Sequence, residues 1–371
     1  MRRASKLVIL ILICGLFTSC WDAKQLEDLY LVYGIGVDLS EENPGKYLVT
    51  VAAPTVLPEA EAPKVEISAE GASLRNAQDN IQNKAARRIT FNNTHLLIVG
   101  EEVAKRGLEQ HTDSLLRDPE GRGTMKLMIT EGRAVDLMEL NPPASALVSL
   151  YLADLLKQSQ ETSTIPLTTL RSFNNALKTD GIEPVMPYLK YGNRPDEFLV
   201  NTIALFNSDR MIGKIEGVDS FLLIVLRGEV NDGFMSLPYP LGDADESPIL
   251  TLRVISGKNK IKTEIRDAQL HIFHEVSLIA HISEYTAPMT VLDEKIIKEM
   301  ENAANLHLEG LCKQLINRLQ IQYVSDNIGY GRYVKANHKD FFDAENWNKQ
   351  FSNANIQVKG NVQIKMIGTK Q

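Results

Sequence analysis

The stretch QLHIFHEVSLIAHISEY, residues 269–285, restricts the fold more than any other part of the chain. Leu270, Ile272, His274, Val276, Leu278, Ala280 and Ile282 occupy one phase of a period-two pattern, and His271, Phe273, Glu275, Ser277, Ile279 and His281 the other. Successive side chains of a strand point to opposite faces, so this is a long strand whose apolar face must be covered. A cover follows in sequence. Between Thr290 and Tyr323, Ile297, Met300, Ala304, Leu308, Leu311, Leu315 and Leu319 recur at spacings of three and four, the stripe of one long helix, about 50 Å long at 1.5 Å per residue. Thr290 and Asp293 stand where a helix-start signal is expected. In NIQVKGNVQIKMIG, Ile356, Val358, Val362, Ile364 and Met366 alternate with polar residues, a strand with one packed and one wet face. The helical stripe is expected to pack on the apolar face of these late strands.

The earlier chain reads as mixed α/β. Residues 29–39 and 46–53 form a hairpin around Glu41-Glu42-Asn43-Pro44-Gly45. An extended connection holding Pro54, Pro58 and Pro63 follows over 54–66. Helices are expected over 73–88, 101–117, 133–140, 145–158 and 167–178, and strands over 91–99 and 126–130. Asp180-Gly181, Pro184, Pro187 and Pro195 then interrupt the pattern. Beyond them strands are expected at 198–206, 219–227, 249–256, 259–266 and 270–284, with Gly257-Lys258-Asn259 as a hairpin turn. The expected fold is α+β and multi-domain, with mixed and antiparallel sheets and packed helices. The expected division is a leader over 1–19, an N-terminal α/β region over 20–195 that is open to division into two small domains, and a C-terminal α+β domain over 196–371 carrying an antiparallel sheet and the helix 290–323.

The leader is read from its layout. Arg2, Arg3 and Lys6 precede an apolar run from Leu7 to Phe17, which ends in Thr18, Ser19 and Cys20. This is the order of a secretory signal. Its roughly 11 apolar residues fall short of the about 20 needed to cross a bilayer as a helix. A cysteine directly after small residues is the acceptor of a diacylglyceryl group, so Cys20 is expected to become the lipidated first residue of the mature protein. An ordinary cleaved signal and an uncleaved anchor are the alternatives. Bulky Ile13 argues against Cys14 in that role. With Cys14 removed and Cys20 acylated, Cys312 is left alone, and no intramolecular disulfide is expected. The chain carries a formal charge of −7, and loss of Arg2, Arg3 and Lys6 makes it more acidic. Such a body is repelled by nucleic acid and by anionic lipid alike; two acyl chains suffice as the anchor where one is marginal.

A search for chemistry yields little. His271 and His281 share a strand face, but ten residues separate them by about 33 Å, too far to hold one metal ion. His274 points the other way. Surface and packing roles are expected for all three. GIGVDL lacks the third glycine of a dinucleotide fingerprint, with Leu39 in its place, and is followed by a turn and a strand instead of a helix. DNIGYG, residues 326–331, reads as a helix-terminating turn. Asp243 and Asp245 lie in a solvated Pro/Gly-rich loop. No G-x-S-x-G elbow or Walker loop occurs. No catalytic, cofactor or metal residue is assigned, and no enzymatic activity is expected.

Several segments together carry a resemblance: CWDAKQLEDL at Cys20, YGIGVD, HLLIVGEEVAKRGLEQHTDSLLRDPEGR, ALFNSDRMIGKIEGVDSFLLIVLRG and YVSDNIGYGRYVKANHKDFFDAENWNKQF. In this order, through essentially the whole chain, they resemble the Ger(x)C family, lipoprotein C subunits of the nutrient receptors that trigger germination of bacterial endospores. The resemblance implies an α+β protein of three small domains, lipid-anchored on the outer face of the spore inner membrane beside a multi-spanning A subunit and a transporter-like B subunit. It implies that the germinant itself is recognised mainly by those partners. Cys20 is the one residue to which it gives a defined role, S-diacylglycerylation, with N-acylation such as palmitate left open. A substrate-binding lipoprotein of a transport system is the alternative, although two similar lobes with parallel strands are then expected.

Overall fold

The computed structural model describes residues 28–55, 64–140, 142, 145–194, 197–239, 248–286 and 293–365. The leader with Cys20, the prolines at 58 and 63, the loop holding Asp243 and Asp245, Thr290 and Met366 lie outside them. In chain order the elements are β1 (Leu29–Leu31), β2 (Gly34–Leu39), β3 (Tyr47–Pro54), β4 (Lys64–Gly71), α1 (Leu74–Gln82), β5 (Arg88–Thr90) and β6 (Leu96–Gly100). Next come α2 (Glu101–Arg106), α3 (Glu109–Arg117), β7 (Lys126–Thr130), α4 (Ala134–Met138), α5 (Val148–Glu161), α6 (Leu170–Leu177) and β8 (Val185–Tyr191). The remainder is β9 (Phe198–Asn207), β10 (Arg210–Glu216), α7 (Val218–Arg227), β11 (Gly233–Pro238), β12 (Ile249–Arg266), β13 (Gln269–Tyr285), α8 (Glu294–Arg318), α9 (Gly331–Asn337), α10 (Trp347–Ser352) and β14 (Asn355–Ile364).

An eight-stranded sheet, ordered β10-β9-β8-β7-β6-β2-β3-β4, organises the first part. Its centre is parallel, β2 to β6 to β7 to β8, and both flanks are antiparallel. Parallel neighbours require long crossovers, which α2 and α3, then α4 to α6, supply. Helices therefore cover both faces, one core gathering Ile35, Leu97, Leu127 and Phe173 and the other Leu96, Ile98, Leu137 and Leu152. The motif GIGVD is explained by this layering. A Cβ on Gly34 would lie 2.3 Å from Ser149 Cβ, and one on Gly36 would lie 3.2 Å from Met138 Cγ, so α4 and α5 rest directly on β2. Asp38, buried beyond the glycines, accepts from the Ala134 and Val135 N–H groups at 2.7 and 2.8 Å. It thereby caps α4 from another element, satisfying orphan donors of the first turn.

Strand pairing crosses the expected division at 195. β9 and β10, which the sequence pattern assigns to the later domain, complete the eight-stranded sheet. Residues 219–227, expected as a strand, are the core of helix α7. Ser220 to Leu226 are buried all round it, because α7 is wedged between the two large sheets and shares one core with β8 to β10 and with β11 to β14. A short continuous apolar run does not distinguish a buried strand from a buried helix. Residues 101–117, expected as one helix, break at Gly107, whose φ of +128° is outside helical backbone.

The second sheet is four-stranded, β11-β12-β13-β14, with β13 and β14 parallel and the other pairs antiparallel. The expected hairpin turn at Gly257-Lys258-Asn259 is absent, and β12 runs through it for 18 residues. Packing selects two of those residues. A Cβ on Gly257 would lie 2.3 Å from Val230 Cγ1, and Asn259 Nδ2 donates to the Val225 and Leu226 carbonyls at the end of α7 at 2.8 and 2.9 Å. Helix α8 covers the inner face as expected, burying Ile297, Met300, Ala304, Leu308, Cys312 and Leu315. The stripe drifts by one position: Leu311 is half-buried, and the deep place is taken by Cys312 at 0% exposure. Asp293 caps the helix, its carboxylate accepting from Ile296 N–H at 2.8 Å. The last expected turn, Leu319–Tyr323, is a π-helical segment.

One function of α8 was not visible in its apolar stripe. Glu301, Asn305 and Glu309, spaced by four, accept from the outward N–H groups of Ile364, Val362 and Gly360 at 2.8, 2.6 and 2.9 Å. An edge strand exposes a row of unpaired backbone groups that invites pairing with another chain. Here the helix closes that edge.

Candidate functional site: a buried polar junction

The most developed polar constellation lies where the two large sheets meet, in the segment after α8. Val324, at φ +48°, turns the chain out of the helix, and Ser325, Asp326 and Asn327 follow with 0% exposure. Ser325 Oγ donates to the Phe206 carbonyl at 2.7 Å. Asn327 Nδ2 donates to the carbonyls of Pro184 and Phe206 at 3.0 and 2.9 Å, and its own carbonyl accepts from Arg227 at 2.6 Å. Buried polar groups cost stability unless they are bonded. These are bonded across the boundary between the sheets.

Asp326 organises the return loop. Oδ1 accepts from Gly329 N–H at 2.8 Å, and Oδ2 accepts from Gly331 N–H and Trp347 Nε1 at 2.9 Å each. Burial pushes its carboxyl up from the ordinary aspartate range, and the N–H donors of Gly331, Gly329, Tyr330 and Trp347 oppose that shift. The glycines of DNIGYG are required by contact. A Cβ on Gly331 would lie 2.4 Å from Gly181 Cα and 2.6 Å from Trp347 Cε2. Gly181 itself has φ +86°, so the two backbones touch where one module meets the other. The helix is ended by Val324 before this motif begins, so DNIGYG is the return loop into α9 and the lock between the modules instead of the expected helix-terminating turn.

A second ring of contacts surrounds it. Asn348 Oδ1 accepts from Asp326 N–H at 3.0 Å while its Nδ2 donates to Glu183 at 2.8 Å. Glu183 also accepts from Ser208 N–H, at 2.5 Å. Burial raises the Glu183 carboxyl, with Asn348 and Ser208 lowering it in part and nearby Asp326 adding to the rise. His274 ties β13 to the same loop through Nδ1 and the Tyr330 hydroxyl, 2.9 Å apart. Burial lowers its pKa to about 4. His274 Nε2 and Asn327 Oδ1 are the spare polar atoms of the junction, buried without a partner. Beside the junction a cleft of about 360 Å³ is lined by Ile165, Phe173, Ile224 and Arg227.

The histidines thus separate as expected for packing and surface roles: His274 is internal, His271 half-exposed, and His281 donates from Nδ1 to the Lys365 carbonyl at 2.8 Å. Among the described residues no group of three His, Cys, Asp or Glu is placed to hold a metal ion. Cys312 is a buried free thiol whose pKa burial pushes up to about 12, the state of an inert packing residue. Glu183, Trp347 and Asn348 were not singled out from the sequence, and Asp326 entered only as the first residue of a turn motif. The density of Asp, Asn and Gly in 326–331 was the available signal. Both Asp326 oxygens are occupied by N–H donors, and what the arrangement does chemically is hold two sheets in a fixed relation.

Comparison with known proteins decides the family. The profile of the spore germination protein N-terminal domain matches residues 22–191, and that of the spore germination B3/GerAC-like C-terminal domain matches residues 201–368. The chain belongs to the Ger(x)C spore germination family. Ger(x)C relatives match it end to end: spore germination protein GerQC of Bacillus cereus is 24% identical over 365 residues, covering 98% of this chain and 99% of the relative. Spore germination protein B3 of Bacillus subtilis (strain 168) is 21% identical over 383 residues, covering 100% and 99%. The crystal structure of the GerBC protein superposes with a TM-score of 0.61 at 16% identity, covering 93% of this chain and all of that one. The Ger(x)C fold is accordingly the α+β arrangement described above. The first profile ends with β8 at residue 191 and the second begins within β9 at residue 201, two neighbouring strands of one continuous sheet.

Proposed function

We propose that this chain is the lipoprotein C subunit of a nutrient germinant receptor, anchored on the outer face of the spore inner membrane through Cys20. It acts by protein contacts with an A and a B membrane subunit, and not by catalysis. The observation that carries the reading is the full-length, in-order match to both spore germination domains. The junction agrees with it: the buried carboxylates are spent on backbone and side-chain donors of the chain itself. A scaffold needs such rigidity, whereas a general acid or base needs a proton-transfer group within reach of substrate. The expected division of labour leaves small-molecule germinant recognition to the membrane subunits.

The test uses spores. Deleting the chain is expected to abolish germination on the receptor's nutrient while leaving germination by a stimulus that bypasses nutrient receptors intact. Cys20→Ala is expected to give a larger, uncleaved precursor, a smaller membrane fraction and a weakened nutrient response, because one short apolar run holds the membrane less firmly than two acyl chains. Normal nutrient germination in the deletion strain would refute the receptor role. A free Cys20 thiol on the mature protein, found by mass spectrometry, would refute the anchor.

A further inference from the structure

The inner face of the four-stranded sheet is filled by α8, but its outer face carries a ladder of cations. Lys258, Lys260, Lys262 and Arg266 alternate along β12 and Lys359 lies on β14, all exposed. The register places Lys260 and Lys359 on either side of Glu275, and Lys262 beside Phe273. Neighbouring strands are about 4.8 Å apart, so these charges form one lattice. A groove of about 480 Å³ runs over it, with Phe273 among its lining residues. Arg266 sits 5.6 Å from the Phe273 ring and pairs with Glu264.

Two features mark this lattice as unfinished. Among the described residues the side-chain ammonium groups of Lys258, Lys260, Lys262 and Lys359 have no ion-pair or hydrogen-bond partner, although their backbones are paired in the sheet. Single lysines without a carboxylate partner occur elsewhere, Lys313 on α8 among them, and what marks these four is that the register gathers them on one sheet face. The chain as a whole is acidic, at −7, so a clustered excess of unpaired lysine runs against its overall balance. The register sets no lysine directly opposite another, and with Glu264 and Glu275 among them the five cations still leave the face net positive.

We infer that this face docks an acidic segment of a protein partner. Charge complementarity names the class of occupant, and the interleaved carboxylates distinguish it from a lipid surface. Glu264 and Glu275 lie inside the lattice, where a uniformly anionic membrane would be repelled by them. A polypeptide can set its carboxylates against the lysines and its apolar atoms over Phe273. The half-buried Phe273 floor suits a contact with packed side chains, while membrane-seeking aromatics protrude. The inference rests on the receptor-subunit reading only for where the partner is to be sought.

The experiment places the photo-crosslinking residue p-benzoylphenylalanine at Phe273 in the full-length chain in spores, with and without Lys260→Glu, Lys262→Glu and Lys359→Glu together. Adducts are identified by mass spectrometry. A single adduct to an Asp/Glu-rich segment of one protein is expected, reduced at least tenfold by the charge reversals and unchanged by Lys313→Glu, an exposed lysine on α8. Neutralisation by Lys→Gln at the same three positions is expected to give an intermediate loss, and thermal melting of each variant checks that the fold persists. An adduct to lipid, an adduct to a protein segment without acidic residues, an adduct indifferent to the reversals, or no adduct would each overturn the inference. Recovery of the chain with membrane subunits in the same extracts separates that failure from a failure of the receptor reading.

Discussion

His274 shows how one side chain can serve the inter-module lock and be read correctly as a packing residue. Its ring is 1% exposed, bonded on one nitrogen to Tyr330 and unbonded on the other. Burial holds its pKa near 4 against an ordinary 6.5. The unfolded chain therefore binds a proton at His274 between those values and the folded one does not. The stability contributed by neutral His274 is complete above pH 6.5 and is lost as pH falls toward 4, by on the order of 3 kcal/mol. The raised carboxyls of Asp326 and Glu183 act in the opposite sense, since the folded state retains their protons more readily. Comparing wild type with His274→Gln isolates the histidine. Between pH 7.5 and 4.5 the wild type is expected to lose up to about 3 kcal/mol more unfolding free energy than the variant. Equal losses would show that His274 is protonated or exposed in the folded protein.

At the scale of elements, α8 is where periodicity was most informative and where it stopped. Leu308→Asp puts an unpaired charge at a position of 0% exposure, and unfolding at ambient temperature is expected. Leu308→Ala is expected to cost about 2–5 kcal/mol. Exposed Lys313→Ala should stay within about 0.5 kcal/mol. Denaturant titration distinguishes them, and equal tolerance would mean that the stripe faces water. The spacing of Ile297, Met300, Ala304, Leu308 and Leu315 identified this helix because one face alone is buried. The same reasoning failed at Phe221, Leu222, Leu223 and Ile224, which are buried on every side and so leave no period to read. It failed again at Gly257 and Asn259, whose turn-like chemistry is used to admit Val230 and to cap α7. The edge caps Glu301, Asn305 and Glu309 look like ordinary polar helix positions until β14 is beside them.

In the whole molecule the division of the chain is blurred by its sheets. The eight-stranded sheet draws β9 and β10 back past residue 195, and α7 and the loop at Asp326 then bind it to the second sheet. Long-range pairing of this kind leaves no local mark in sequence, which is why the family segments were legible and the junction that joins them was not. A lock of this rigidity suits a subunit that presents fixed surfaces to neighbours, and the unpaired lysine lattice is one such surface. The most direct test of that view is affinity purification of the full-length chain from detergent-solubilised spore inner membranes, with its companions quantified by mass spectrometry. Two multi-spanning membrane proteins are expected to accompany it in fixed ratio, and both should disappear from the eluate when the chain is deleted. Recovery of the chain alone from spores whose nutrient germination depends on it would contradict a function exercised through stable protein contacts.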